Sequence, residues 1–464
     1  MIPLPTLRRT TPVDHSAASA AFVADEPRTD WHDAALWHVR EKRDRAAGAV
    51  PEWETLRTLA AAIKDHTLSR LDTYLEAFEA AATANGATVH WARDAAEHNR
   101  IVHGLLVTRN VRRVVKSKSM LTEECGLNPY LAARGVAVVD TDLGEHIVQL
   151  AEEPPSHIVL PAIHKTRGEV GAIFHEHLGT PEGEDDPDRL TAAARTHLRA
   201  RFLEGEAAVT GANFVVAETG EVVVCTNEGN ADLGMHLPPL HIVSVGIEKV
   251  IPRRADLAVF LRLLARSATG QALTVYTSHL RRPRPGTEVH IVLVDAGRTE
   301  QLARPGFRAS LRCIRCAACL NTCPVYRRSG GHSYGATVPG PIGSILTPGL
   351  DLHRYAALPF ASTLCGSCSA VCPVRIPIDE MLYDWRQVVT DAKAVPWWKR
   401  AMLRATGLGL GRPGLHRLGG RLMPALLRRM PAALVRAWTR TRDLPDAPDE
   451  TFREWARRNR PAQP

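Results

Sequence analysis

Seven of the nine cysteines fall between Cys313 and Cys372, at the spacing of metal ligands. The stretch CIRCAACLNTCP (313–324) reads C-x2-C-x2-C-x3-C-P, and STLCGSCSAVCP (362–373) repeats that ending but opens on Ser362. A [4Fe–4S] cubane needs four soft, anionic ligands, and thiolates supply both properties. Three cysteines at this spacing wrap three corners from one loop; the fourth, before Pro, ligates the other cluster in two-cluster ferredoxins. On that rule Cys313, Cys316, Cys319 and Cys372 hold cluster 1, while Cys323, Cys365 and Cys368 belong to cluster 2. A zinc ribbon would use paired C-x2-C elements, so the triple spacing with Cys-Pro favours iron–sulfur chemistry. The last iron of cluster 2 has three options: Ser362 as an alkoxide, an exchangeable ligand such as water, or a [3Fe–4S] cluster. Cys125 and Cys225 are the spare thiols, and Cys225, alternating within an apolar strand, reads as a core residue.

Two polar strings, ETGEVVVCTNEGNAD and PAIHKTR, are candidates for a small-molecule site. Glu218, Asn227, Glu228 and Asn230 fall at a hairpin and a strand end, where open α/β sheets hold ligands. Lys165 and Arg167 suit a small carboxylate, Arg through a bidentate pair. The competing reading gives these residues to turns, caps and interdomain contacts. His164, His175 and His177 lack H-x3-H spacing on a clear helix and read as core or surface histidines. Gly409, Gly411 and Gly414 spell G-x-G-x-x-G, but no strand precedes them and Pro413 interrupts, which argues against a dinucleotide site.

The elements that must position these groups follow from pattern. Residues 30–84 carry apolar side chains at i, i+3 and i+4 and stop at Asn85-Gly86, which predicts helices. Strand-like runs then alternate with helical ones: GVAVVDT, SHIVLPAIH, GANFVVAETGEVVVCTN, LHIVSVGIE, ALTVYTSH and VHIVLVDAG. That alternation predicts an α/β domain with a mostly parallel sheet, with one hairpin through Thr219-Gly220. RPGFRAS reads as a linker, and SGGHSYGATVPGPIGSILTPGL as an ordered loop with little regular structure. The expected divisions are an N-terminal helical segment (1–78), the α/β domain (79–298), a helical two-cluster ferredoxin-like domain (299–392) and a C-terminal tail (393–464).

The chain has 464 residues, is 45% apolar and carries a formal charge of +8, which excludes general disorder. About sixteen Lys/Arg against five Asp/Glu lie from Lys393 onward, so the basic character belongs to the tail. That tail opens on Trp397, Trp398, Lys399 and Arg400 and runs on through Arg436 and Trp438. Docking of partner subunits ranks first for it, a peripheral contact with anionic lipid second, and nucleic acid last, since no nucleic-acid fold accompanies it. Thiolates committed to iron need a reducing compartment, and neither a signal peptide nor a transmembrane run is legible, so the expected location is cytoplasmic.

Taken together, VVDTDLGEHIVQLAEEPPSHIVLPAIHKTR, GANFVVAETGEVVVCTNEGNADL and HIVSVGIEKVIP resemble the LUD domain of lactate-utilisation proteins. The two cysteine stretches resemble the iron–sulfur segment of the lactate-utilisation protein B family. The resemblance implies a LUD fold similar to sugar-isomerase (NagB/RpiA) and CoA-transferase domains. It implies two [4Fe–4S] clusters and an electron-transfer subunit in a cytoplasmic complex oxidising L-lactate to pyruvate. The implied partners are a cysteine-rich heterodisulfide-reductase-like subunit and a small LUD-only subunit. No flavin or nicotinamide site is recognisable. A rival reading makes the α/β domain itself a small-carboxylate or acyl/CoA-handling enzyme, with structural or redox-sensing clusters.

Overall fold

A computed structural model describes residues 11–395, 397–429, 436, 439, 446 and 448–459. Trp438 lies outside these residues. The chain forms two compact units, one ending at Val389 and one beginning at Thr390.

The first unit is built on a six-stranded parallel sheet. Its strands, among ten in the described residues, are β1 (Thr88–Ala92), β2 (Arg113–Lys116), β3 (Ala137–Asp140), β4 (Ala207–Gly211), β7 (Leu240–Gly246) and β10 (Glu288–Val294), in the order β1-β10-β7-β4-β2-β3. Parallel strands covered on both faces need near-continuous apolar runs, and every residue of β7 is buried. A smaller sheet takes β5 (Phe214–Val216), β6 (Glu221–Thr226), β8 (Val250–Ile251) and β9 (Tyr276–Leu280), in the order β8-β5-β6-β9. The expected hairpin joins β5 to β6. Gly220 in its turn has φ 68°, and a Cβ there would stand 2.4 Å from the Ala82 nitrogen, so only glycine fits.

After a short helix, His15–Val23, three longer helices precede β1: Glu26–Gly48, Trp53–Leu68 and Leu71–Ala84. The first starts where the Asp25 carboxylate accepts the Arg28 N–H, with Pro27 in its opening turn. Their inner faces do not form a separate body. Leu36, Trp53 and Leu56 share one apolar core with Phe260 of helix Arg254–Thr269 and with Leu320, Tyr326 and Ile342 of the cysteine segment.

Three expectations need correction. Residues 156–164 form turns, not a strand. Their apolar side chains are drawn under the cysteine segment, where Ile158 is buried, the Tyr326 hydroxyl donates to the Ser156 carbonyl at 2.7 Å, and His157 meets the Asn321 amide oxygen at 2.9 Å. The Gly/Pro-rich stretch contains a buried helix, Gly340–Leu350, rather than only loop. Pro341 sits in its first turn, and a Cβ on Gly343 would fall 1.7 Å from the Val338 carbonyl oxygen, so small residues are what let it pack. The expected linker is packed as well, with Phe307 stacked on Trp385 at a ring separation of 4.4 Å.

The second unit holds helices Trp397–Gly411, Pro413–Arg429 and Phe452–Asn459. Trp397, Leu410, Leu418 and Leu422 on the first two are exposed. Gly409 and Gly411 lie within one helix and Gly414 within the next, not in a strand–turn–helix. No helix among the described residues is long and apolar enough to cross a membrane.

Candidate functional site

The two cysteine stretches fold as a structural repeat. Arg315 and Ala317 have φ 59° and 64°; Leu364 and Gly366, at the same positions of the second stretch, have φ 55° and 76°. Each pair of left-handed residues leads into a one-turn helix, Ala318–Thr322 or Ser367–Val371. Each helix ends on an extended cysteine, Cys323 with ψ 117° and Cys372 with ψ 119°. Cys313 Sγ accepts the Arg315 N–H at 3.4 Å, and Ser362 Oγ accepts the Leu364 N–H at 3.1 Å. Ser362 therefore stands in the fold where Cys313 stands in its own stretch.

The helices cross so that the thiols gather in two sets. Cys313, Cys316, Cys319 and Cys372 line one small pocket walled by Ile158, Ile314, Ile342, Val374, Ile376 and Ile378. Cys323, Cys365 and Cys368 remain as the candidate second set: burial first, and then the neighbouring Cys365, push the Cys323 thiol up, and burial, then Cys323 and Cys365, do the same to Cys368. Burial pushes the Cys316 and Cys368 thiols up to about 12 and Cys372 up to about 11. Only bound cations would hold such thiols as thiolates. The donor set fits iron–sulfur clusters in a second respect. Backbone N–H groups of Arg315, Tyr326 and Ile376 point at Cys313, Cys323 and Cys372 Sγ, at 3.4, 3.5 and 3.4 Å, and hydrogen bonds to sulfur tune cluster potentials. The sets differ in depth: all of the first is buried or half-buried, whereas Cys365 of the second is exposed.

Arginines from the N-terminal helices fix the arrangement. Arg57 donates to the carbonyls of Cys372 (3.0 Å) and Ala370 (2.8 Å), and Arg43 to that of Val371 (3.0 Å). Both guanidiniums are buried, and they satisfy the orphan carbonyls at the end of helix Ser367–Val371.

A cavity of about 530 Å³ opens at the carboxyl edge of the parallel sheet, where α/β folds hold ligands. Residues following β2, β3, β4, β7 and β10 line it, among them Lys118, Asp142, Asn213, Lys249 and Arg298. Trp31 of the N-terminal helices contributes a wall, and Arg315 and Cys316 of the cluster 1 loop contribute another. Lys118 pairs with Asp142 at 2.9 Å. Burial, then the Asp142 charge, raise Glu228 to about 7, while its carboxylate accepts the Leu143 N–H at 3.1 Å. Beside the cluster loop, Arg298 pairs with Glu248 at 2.5 Å and with Glu124 at 2.9 Å, and Arg315 pairs with Glu124 at 3.1 Å.

Of the residues expected at a small-molecule site, Asn227, Glu228, Asn230 and Lys165 line this cavity together. Lys165 is held by Glu153 at 2.5 Å. The other two stand elsewhere. Glu218 is exposed and accepts the Arg254 N–H at 2.9 Å, at the start of helix Arg254–Thr269; Arg167 is exposed at the start of helix Arg167–Leu178. Cys225 is half-buried, packed against the core on one side and lining the cavity on the other; Cys125 is buried in the core. His164 lies with Glu153 and His332 in a group of metal-ligand type, its Nε2 2.8 Å from Glu153 and its Nδ1 2.7 Å from the Ser156 hydroxyl. Lys118, Asp142, Lys249 and Arg315 were not expected. The signals that mark them are their positions just past the apolar runs of β2, β3 and β7 and, for Arg315, inside a C-x2-C loop.

Three family descriptions match the chain: "LUD domain" over residues 75–300, "4Fe-4S dicluster domain" over 309–376, and "Lactate utilisation protein B, C-terminal" over 385–460. Lactate utilization protein B of Bacillus pumilus is 41% identical over 432 residues, 89% of this chain and 91% of the relative. The Escherichia coli protein described as an uncharacterized electron transport protein, YkgF, is 40% identical over 441 residues, 91% of each chain. A solved DUF162 family protein from Deinococcus radiodurans is 14% identical with a TM-score of 0.28, covering 48% of this chain and 98% of its own. With the cysteine repeat, the LUD sheet and the C-terminal region all matched in one order, the chain belongs to the lactate utilisation protein B family.

Proposed function

We propose that the chain is the iron–sulfur electron-transfer subunit of a cytoplasmic complex that oxidises L-lactate to pyruvate. The observation that carries this reading is the placement of the two thiol sets. The first lines a pocket whose Cys316 also borders the LUD cavity, and the second reaches the surface at Cys365. When bound, the two [4Fe–4S] clusters would supply one-electron transfer. Cys313, Cys316, Cys319 and Cys372 would hold the first, and Cys323, Cys365 and Cys368, with Ser362 at the fourth position, the second. The isoleucines and Val374 around the first pocket keep water from it, and the backbone N–H groups stabilise charge on sulfur. The surface near Cys365 is where a cysteine-rich partner subunit would collect electrons. The exposed apolar faces of helices Trp397–Gly411 and Pro413–Arg429 suit docking to that partner or to a small LUD-only subunit. The test is anaerobic reduction of the reconstituted protein by L-lactate with its partner subunits, followed by EPR. Clusters that stay oxidised would sink the relay.

One observation favours a second reading, in which the α/β domain performs carboxylate or acyl chemistry itself. Glu228, with its pKa raised to about 7, is poised for proton transfer inside the cavity. Glu228→Gln with lactate-dependent growth intact would remove that reading.

A further inference from the structure

Where the turns that follow β3 and its helix meet the cysteine segment, three side chains of metal-ligand type converge. Glu153, His164 and His332 each offer one ligand atom, and these atoms lie within 4.8 Å of one another. Glu153 and His164 belong to the LUD domain, and His332 to the stretch between the two cysteine motifs. His164 is buried at the base of the group, Glu153 is partly exposed, and His332 is exposed at the rim, so a cation has a way in.

The hydrogen bonds behind the two rings suit ligation. A metal-bound histidine uses its other ring nitrogen as a donor to an oxygen that fixes the ring. His332 Nε2 lies 2.8 Å from the Pro154 carbonyl, which can only accept, so Nε2 carries the proton and Nδ1 keeps its lone pair. The Ser156 hydroxyl donates to the Pro161 carbonyl at 3.1 Å; it therefore accepts from His164 Nδ1 at 2.7 Å, which leaves the lone pair on Nε2. That lone pair faces Glu153 Oε2 across 2.8 Å, acceptor against acceptor until a proton or a metal cation stands between them. Lys165 holds the other carboxylate oxygen, Oε1, at 2.5 Å, and Arg28, which donates to the His164 carbonyl, is itself paired with Glu169 and Asp25. Oε2 is thus left to a metal, against the repulsion of one ammonium. Two imidazoles and a carboxylate are a known ligand set for zinc, with a fourth position for water. Ligand atoms around tetrahedral zinc stand about 3.4 Å apart, so the His164–Glu153 pair must open slightly and His332 close in.

We propose that Glu153, His164 and His332 bind one zinc-type divalent cation, which clasps the LUD domain to the cysteine segment. The turns it fastens wall both functional spaces: Leu160, Pro161 and Ile163 line the LUD cavity, and Ile158 lines that cavity and the cluster 1 pocket. Gly331, beside His332, packs so tightly on these turns that a Cβ would fall 1.7 Å from the Ser156 carbonyl oxygen. A cation at this junction holds the Ile158 turn over the cluster 1 cysteines.

The experiment uses the full chain, reconstituted anaerobically so that the cysteines are committed to iron, then titrated with Zn(II), with Mg(II) as a hard-cation control. Zinc per chain is read by elemental analysis, with iron and sulfide counted before and after. The unfolding temperature and the rate of cluster bleaching in air are followed with and without zinc. The expected result is one zinc per chain at micromolar concentration with iron unchanged, a higher unfolding temperature and slower bleaching; Mg(II) does none of these. His332→Ala and Glu153→Gln, both at side chains open to solvent, each weaken zinc binding about tenfold or more and remove the protection. Lys165→Met, which takes away the neighbouring ammonium, tightens it. No zinc uptake, uptake only at the expense of iron, uptake indifferent to His332→Ala and Glu153→Gln, weaker binding in Lys165→Met, or zinc bound without slower bleaching each overturn the proposal.

Discussion

Ser362 Oγ accepts the Leu364 N–H at 3.1 Å, the bond that Cys313 Sγ accepts from Arg315 in the other stretch. The backbone therefore places Ser362 where Cys313 stands in the first stretch, the position from which we propose that it ligates the second cluster even though its hydroxyl ionises far less readily than a thiol. In anaerobically reconstituted protein, Ser362→Ala should lose one iron from the second cluster and give the EPR signal of a three-iron species. Ser362→Cys should retain all its iron and lose it more slowly in air. Iron counts and spectra of Ser362→Ala that match the wild type would exclude the serine.

Arg57 carries a buried charge whose hydrogen bonds include the carbonyls of Cys372 and Ala370. Replacing it with Leu leaves those carbonyls unpaired, a loss of about 2–4 kcal/mol. Denaturant unfolding of the loaded protein should show it, together with faster iron release to a chelator. A loss below about 1 kcal/mol with unchanged iron release would mean that the clamp contributes little.

Lys116, buried beneath the sheet edge, stands 2.6 Å from Asp140, 2.9 Å from Glu123 and 3.6 Å from Glu145. One cation among three carboxylates leaves Glu145, raised well above its ordinary range by burial, as the protonated member. Lys116→Met should cost about 3–5 kcal/mol, because buried carboxylates lose their counter-charge. Glu145→Gln, which mimics the protonated acid, should be nearly neutral. The two variants are compared by urea titration, and equal costs would contradict the assignment.

Glu228 links stability to pH in a definite direction. Its folded pKa of about 7 exceeds its ordinary value of 4.5, so the native state holds the extra proton between them. The stability it contributes is fully present below 4.5 and is lost as pH rises through 7. Buried histidines such as His98, lowered to about 4, act the other way as pH falls, but they cancel between variants that both contain them. Glu228→Gln should therefore gain on the wild type with rising pH, by about 2–3 kcal/mol at neutrality and above. Parallel curves from pH 4 to 8 would refute the shift.

What the sequence disclosed depended on whether a residue's role was local. Cysteine spacing is a property of one loop, so two stretches sufficed to propose a division of the thiols, and Cys313, Cys316, Cys319 and Cys372 do line one pocket. The continuous apolar runs of β7 and β10 announced buried parallel strands. By contrast, β4 reads as the tail of the preceding helix, because Ala207–Gly211 is short and of small residues, and its strand pairing is decided by β2 and β7. β2 hid because Lys116 is charged yet fully buried, a state that only its three distant carboxylates permit. The 156–164 run was apolar for the sake of the cysteine segment, over 150 residues away, with which Ser156 and His157 bond. Lys249 and Arg315 line one cavity only once that segment has docked on the sheet.

The arginine clamp also sets a timetable for synthesis. Arg57 and Cys372 are 315 residues apart, so at about 5–20 residues per second the helix bearing Arg57 leaves the ribosome roughly 15–60 s before the carbonyl it binds exists. Until then Trp53 and Leu56 lack the partners that bury them. With the ligands proposed above, cluster 1 would draw on both cysteine stretches, so its insertion would follow nearly the whole first unit. In a cell short of iron, the nascent chain would wait with its N-terminal helices open to chaperones and proteases, which ties the supply of this protein to the supply of its metal.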